Sequence, residues 1–132
     1  MTFLPFLRLL TRRGFMTTVM LMLAAAPALA QSPVKQVDIA LVDGRASGAG
    51  LTVPARGAPV LRLTQGESVE LRFASDRPMD LHLHGYRIET RAAPGAPAVM
   101  TFVARAAGRF AVETHAANGR HVALLYLEVH PR

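Results

Sequence analysis

A period-two alternation of apolar and polar residues begins near Val37 and recurs in short bursts to the end of the chain, the pattern of half-buried β-strands. Val37, Ile39 and Leu41 alternate with Asp38 and Ala40, and Asp43-Gly44 supplies a turn. The Gly- and Pro-containing stretch from Ser47 to Pro59 reads as a loop with a short strand near Leu51 to Val53. Pro59 to Thr64 and Ser68 to Ala74 predict a hairpin closed by Gln65-Gly66-Glu67, with Leu61 and Leu63 on one face and Val69, Leu71 and Phe73 on the matching face. After the break at Asp76-Arg77-Pro78, a strand from Met79 to Arg87 separates Leu81 and Leu83 from His82, His84 and Tyr86. Ala98 to Ala104, Phe110 to His115 and His121 to Val129 complete the set, the last two joined through Asn118-Gly119, residues that accept positive φ. The final strand carries Ala123, Leu125, Leu127 and Val129 on one face and Val122, Leu124 and Tyr126 on the other. Such a strand is either central and covered or a contact surface for a protein partner. No helical period stands out beyond the first thirty residues, so the spacing predicts an all-β, antiparallel β-sandwich. Its long-range pairings imply slow folding.

The front of the chain follows a different pattern. Thr11-Arg12-Arg13-Gly14-Phe15-Met16 precedes an apolar run from Val19 to Leu29 and a small-residue site, Ala28-Leu29-Ala30. These features read as a cleavable export signal over 1–30, leaving a mature domain over 31–132. The paired arginines resemble the twin-arginine signal pattern, which implies a periplasmic protein exported already folded; a general secretory signal that happens to carry two arginines is the alternative. The apolar stretch contains Pro27 and falls short of the roughly 20 residues that span a bilayer. Cleavage is therefore expected rather than anchoring, with no membrane span in the mature chain.

Composition narrows the functional classes. A domain of 102 residues buries only about two-thirds of its unfolded surface, which leaves little room for a deep cavity. Loss of Arg8, Arg12 and Arg13 with the leader lowers the net charge from +6 to +3. The remaining arginines are dispersed and not interleaved with aromatics, which argues against a nucleic-acid partner. The chain has no cysteine, although an oxidising compartment would permit disulfides. Thiol nucleophiles, iron–sulfur clusters and zinc–thiolate sites are thereby excluded. Ser47, Ser68 and Ser75 lie in no nucleophile-elbow context and no paired carboxylates mark a cleft, so no enzymatic activity is expected.

Two short motifs carry metal chemistry: His82-Leu83-His84-Gly85-Tyr86 and Glu113-Thr114-His115. In a strand, positions i and i+2 share a face about 6.5 Å apart. Strands bearing these motifs, laid side by side, would gather His82, His84, Glu113 and His115. Imidazole and carboxylate without thiolate suit copper(II) or zinc better than copper(I). Each motif alone also fits surface histidines or an ordinary cross-strand pair. Tyr86 could pack against the rings or donate a hydrogen bond to them. Met79 and Met100 are expected in the core, and His130 beside the terminus is expected to be free.

The order of these segments resembles the cupredoxin family over roughly Ala58 to Pro131. The likeness rests on Leu63-Thr64-Gln65-Gly66-Glu67-Ser68-Val69-Glu70-Leu71, the strand ending in His84-Gly85-Tyr86, Gly108-Arg109-Phe110-Ala111-Val112, and the final apolar strand. The resemblance implies a Greek-key β-sandwich. It also implies, for blue-copper members, one ligand His from a middle strand and Cys, His and often Met from the loop before the last strand. His84 matches the first of these, the Cys position falls on Thr114, and no Met follows. Without that thiolate a blue-copper electron-transfer centre does not form. His121 lies near where the family's loop ligands fall and is a fifth candidate, its alternative being a solvated strand start. Two functions follow as expectations: a periplasmic protein that holds or delivers copper(II), or a metal-free β-sandwich that docks a partner through its last strand.

Overall fold

The computed structural model describes residues 32–132; the segment read as an export signal, 1–30, lies outside the described residues. Strand β1 (Val34–Val42) turns through Asp43 and Gly44, at φ of 50° and 71°, into β2 (Arg45–Ser47). Two consecutive positive φ values give the turn a twist that matches its strands. There follow β3 (Leu51–Thr52), β4 (Val60–Thr64), β5 (Ser68–Ser75), β6 (Met79–Leu83), β7 (Ile88–Ala92), β8 (Ala98–Val103), β9 (Gly108–His115) and β10 (His121–His130). They form a four-stranded sheet, β2-β1-β5-β8, and a six-stranded sheet, β3-β4-β10-β9-β6-β7.

The alternation has its expected consequence. Ile39, Leu41, Leu71, Phe73 and Met100 from the smaller sheet meet Leu61, Leu63, Leu81, Leu83, Val112, Leu125 and Leu127 from the larger one in a shared core. Each such side chain, removed from water, is worth roughly 1.5–3 kcal/mol before the entropy of ordering it is subtracted. Met79 packs against the core from its margin, and His130 is exposed.

Four expectations change. The turn Gln65-Gly66-Glu67 is tight, with Glu67 N–H donating to the Thr64 carbonyl at 3.0 Å, but β4 and β5 belong to different sheets and do not pair. Alternation specifies which side chains face the core; it does not distinguish a strand lying alongside from one lying opposite. The sandwich is also mixed, because β1 runs parallel to β5 and β4 parallel to β10. Parallel neighbours arise where a crossover rather than a hairpin joins two strands. Third, the strand expected over Met79 to Arg87 stops at Leu83: Gly85 and Arg87 take positive φ and the chain reverses into β7, which the apolar pattern did not mark. Tyr86 consequently leaves the histidine face and packs against Phe102 and Phe110, with ring centroids 4.9 and 5.1 Å away. Fourth, β10 is not evenly two-faced, as set out below.

In the larger sheet β10 lies between β4 and β9, so both of its edges are paired. Leu125, Leu127 and Val129 face the core, while Tyr126 faces outward beneath the Arg109 guanidinium at 4.1 Å. Among the described residues no helix is long and apolar enough to cross a membrane.

Candidate metal centre

Inward placement of Leu81 and Leu83 on β6 forces His82, and His84 just beyond the strand, onto the outer face of the larger sheet. Likewise, burial of Val112 and Thr114 on β9 turns Glu113 and His115 outward. The two strands are neighbours in a register that sets His82 opposite Glu113 and Leu83 opposite Val112. His84 N–H donates to the Ala111 carbonyl at 3.0 Å, which continues the pairing past the end of β6.

His121 reaches the same face through an irregularity. Along β10, Ala123 pairs with Glu113, but the next partner of β9, Val112, pairs with Leu125, leaving Leu124 as an extra residue. Leu124 and Leu125 are both buried, at 2% and 0% exposure. A bulge of this kind changes the facing of the residues beyond it. With Leu125, Leu127 and Val129 inward, an unbroken alternation would also turn Ala123 and His121 inward, as the sequence pattern suggested for Ala123. The bulge instead turns them outward, beside Glu113 and His115. The signal for it is the adjacent pair Leu124-Leu125 inside an otherwise alternating strand.

The resulting cluster centres on Glu113. Its Oε2 lies 2.7 Å from His84 Nε2 and 3.0 Å from His121 Nδ1, the latter a hydrogen bond donated by the ring N–H. One ligand atom from each of His84, Glu113 and His121 falls within 4.8 Å of the others. His84 Nε2 is buried yet makes no well-aligned hydrogen bond, despite its short distance to the carboxylate. Buried polar atoms are rarely left so. A cation shared by the two groups would satisfy both, so this donor set fits a divalent metal. Burial by itself would raise the Glu113 carboxyl pKa, but the hydrogen bond from His121 and the nearby charge of His84 outweigh it, and the net shift is downward. The carboxylate form is thereby favoured, the form a metal requires.

His82 and His115 lie outside this trio but adjoin it. The His82 ring centroid is 4.4 Å from that of His84, and the His115 centroid is 4.3 Å from that of His121. The structure thus brings the five sequence-derived candidates to one face. It sets His121, the residue ranked behind the others, in the closest group, and His82 and His115 beside it. Glu89 was not anticipated: β7 places it opposite His82, with Oε1 3.7 Å from His82 Nε2. The one signal in the sequence that could have marked that strand is the modest alternation of Ile88, Thr90 and Ala92 with Glu89 and Arg91.

No known sequence family matches the chain, and no curated protein does. Solved structures do resemble it. A heme-copper terminal oxidase dimer, determined by cryo-electron microscopy, contains a chain 17% identical over 73% of this chain and 65% of its own length, with a TM-score of 0.53. The crystal structure of a multicopper oxidase matches at 20% identity over 74% of this chain and 42% of that one, with a TM-score of 0.52. This chain therefore spans less than two-thirds of the length of either. At such identities the likeness shows the fold alone, which is a cupredoxin-like β-sandwich.

Proposed function

We propose that this is an exported periplasmic protein that binds copper(II) through His84, Glu113 and His121 and holds or delivers the ion without blue-copper electron transfer. The observation that carries this reading is the convergence of His84 Nε2 on the Glu113 carboxylate at 2.7 Å without a well-aligned hydrogen bond, with His121 closing a group of ligand atoms 4.8 Å or less apart. Two imidazoles and a carboxylate, half-open to solvent, suit copper(II) and leave positions for water or an incoming ligand. A shared fold with proteins described as a multicopper and a heme-copper oxidase supports copper as the metal. The chain has no thiolate with which to build a blue-copper centre. Export by the twin-arginine route is supported by Arg12-Arg13 and the apolar run after them. Such a protein acts as a carrier rather than as an enzyme.

Metal analysis of protein isolated from the periplasm, followed by chelator-competition titration with copper(II) and with zinc, tests the proposal. Wild type is expected to bind one copper per chain, and a His84→Ala/His121→Ala variant to bind at least about 100-fold more weakly. Equal, weak uptake by both proteins, or a preference for zinc, would overturn it.

A further inference from the structure

The larger sheet carries more metal-capable groups on this face than one site uses. The rings of His115 on β9, His121 on β10, and His84 and His82 at the end of β6 succeed one another at centroid separations of 4.3, 6.0 and 4.4 Å, and Glu89 on β7 lies beyond His82. His82 and His115 also border one open depression of about 320 Å³, whose rim includes Asp80, Glu89 and Arg91. Arg91 is held by Asp80 at 2.8 Å, so that cation is neutralised while Glu89, at 79% exposure, faces water. Among the described residues, the groups around this depression do not converge as closely as the trio does.

We propose that His82 and His115, with Glu89, form a loading station through which a divalent cation passes between solvent, or an acceptor ligand, and the His84–Glu113–His121 centre. The inference rests on the copper-binding reading of that centre. Exchange proceeds by ligand substitution: an incoming imidazole from His82 or His115 bonds to the ion before a bond to the inner trio breaks. No electron is transferred, and the copper remains divalent throughout. Such a route lets the inner site bind tightly while still releasing its cargo, because no intermediate is a bare aqueous ion.

The test separates equilibrium from rate. Copper(II)-loaded wild type, a His82→Gln/His115→Gln variant and an inner His84→Gln/His121→Gln variant are mixed with excess free histidine, and transfer is followed by stopped-flow absorbance alongside equilibrium competition. The loading-station variant is expected to keep its affinity within about threefold but to transfer at least about tenfold more slowly in both directions. The single variant Glu89→Gln, at a more exposed position, is expected to slow transfer by a smaller factor and to be free of folding complications. Unchanged rates in both outer variants would overturn the station while leaving the inner site standing. Loss of tight affinity in the His82→Gln/His115→Gln variant with native circular dichroism would also overturn it, by making those residues ligands of the inner ion. Failure of wild type to bind copper(II) would overturn the underlying reading and the station with it.

Discussion

Two charged clusters on this molecule are built from similar materials and come out differently. Where the β1–β2 turn approaches the segment before β6, Arg77 donates to Asp43 Oδ1 at 2.7 Å and to Asp76 Oδ1 at 3.1 Å, while Asp76 Oδ2 accepts the Asp43 backbone N–H at 2.9 Å. Donors and acceptors there match one another, and the cluster pins a turn to a loop. On the outer face of the larger sheet, the imidazoles of His84 and His121 share the single carboxylate of Glu113, with the rings of His82 and His115 beside them, and His84 Nε2 lacks a well-aligned hydrogen bond. Both clusters bring charge together; only the second has valence to spare. A balanced polar network reads as structure, and one with surplus lone pairs around a carboxylate reads as a place for a cation.

The largest expected effect is on stability and comes from the bulge beside the second cluster. Deleting Leu124 lets β9 and β10 pair without interruption, leaves His121 outward beside Glu113 and removes a buried leucine. Denaturant unfolding should show a loss of at least about 2 kcal/mol, with copper(II) binding retained. Leu124→Ala keeps the bulge, so it should lose stability but retain copper binding.

Next in size is Glu113→Gln, which keeps the shape and removes the charge. Copper(II) affinity is expected to drop by about tenfold in chelator competition, whereas Asp76→Asn in the balanced cluster should leave it unchanged. Gly85→Ala comes third. Gly85 sits at φ +81°, and a Cβ there would approach the Phe110 ring to 2.8 Å. A left-handed alanine costs about 1–2 kcal/mol, and the displaced turn carries His84, so a modest loss of copper affinity should accompany the lower unfolding midpoint.

The smallest effect is a pH dependence that belongs to the first cluster. The side-chain hydrogen bond from Arg77, followed by the Asp43 backbone N–H, holds the Asp76 carboxyl below the ordinary aspartate range. A depressed folded value means that the carboxylate's contribution is complete above the unfolded aspartate pKa and fades as pH falls through the folded one. Asp76→Asn should therefore flatten the acid limb of the stability curve slightly, as read by thermal unfolding across pH. An unchanged acid limb would show that this exposed network is screened to insignificance.

Much of this site was legible in the sequence, for a local reason. His82 and His84, like Glu113 and His115, share a face because strand geometry repeats every two residues, and Leu81, Leu83 and Val112 fix which face that is. What escaped was whatever depends on a residue out of phase or on a distant neighbour. The extra Leu124 inverts the facing of His121, and no pattern of period two contains an odd residue. The split of β4 and β5 between sheets depends on partners far along the chain, β10 for one and β1 for the other. Tyr86 looked like part of the histidine face because Gly85 and Arg87, at positive φ, hide a reversal inside an apparently continuous alternation.

The most direct measurement is electron paramagnetic resonance of the copper(II)-loaded protein with its histidines labelled with nitrogen-15. Coupling to two directly bound imidazole nitrogens is expected for wild type and to one for His121→Ala, with signals unchanged in Arg77→Ala. A spectrum of aqueous copper, or one indifferent to replacement of both His84 and His121, would contradict the account.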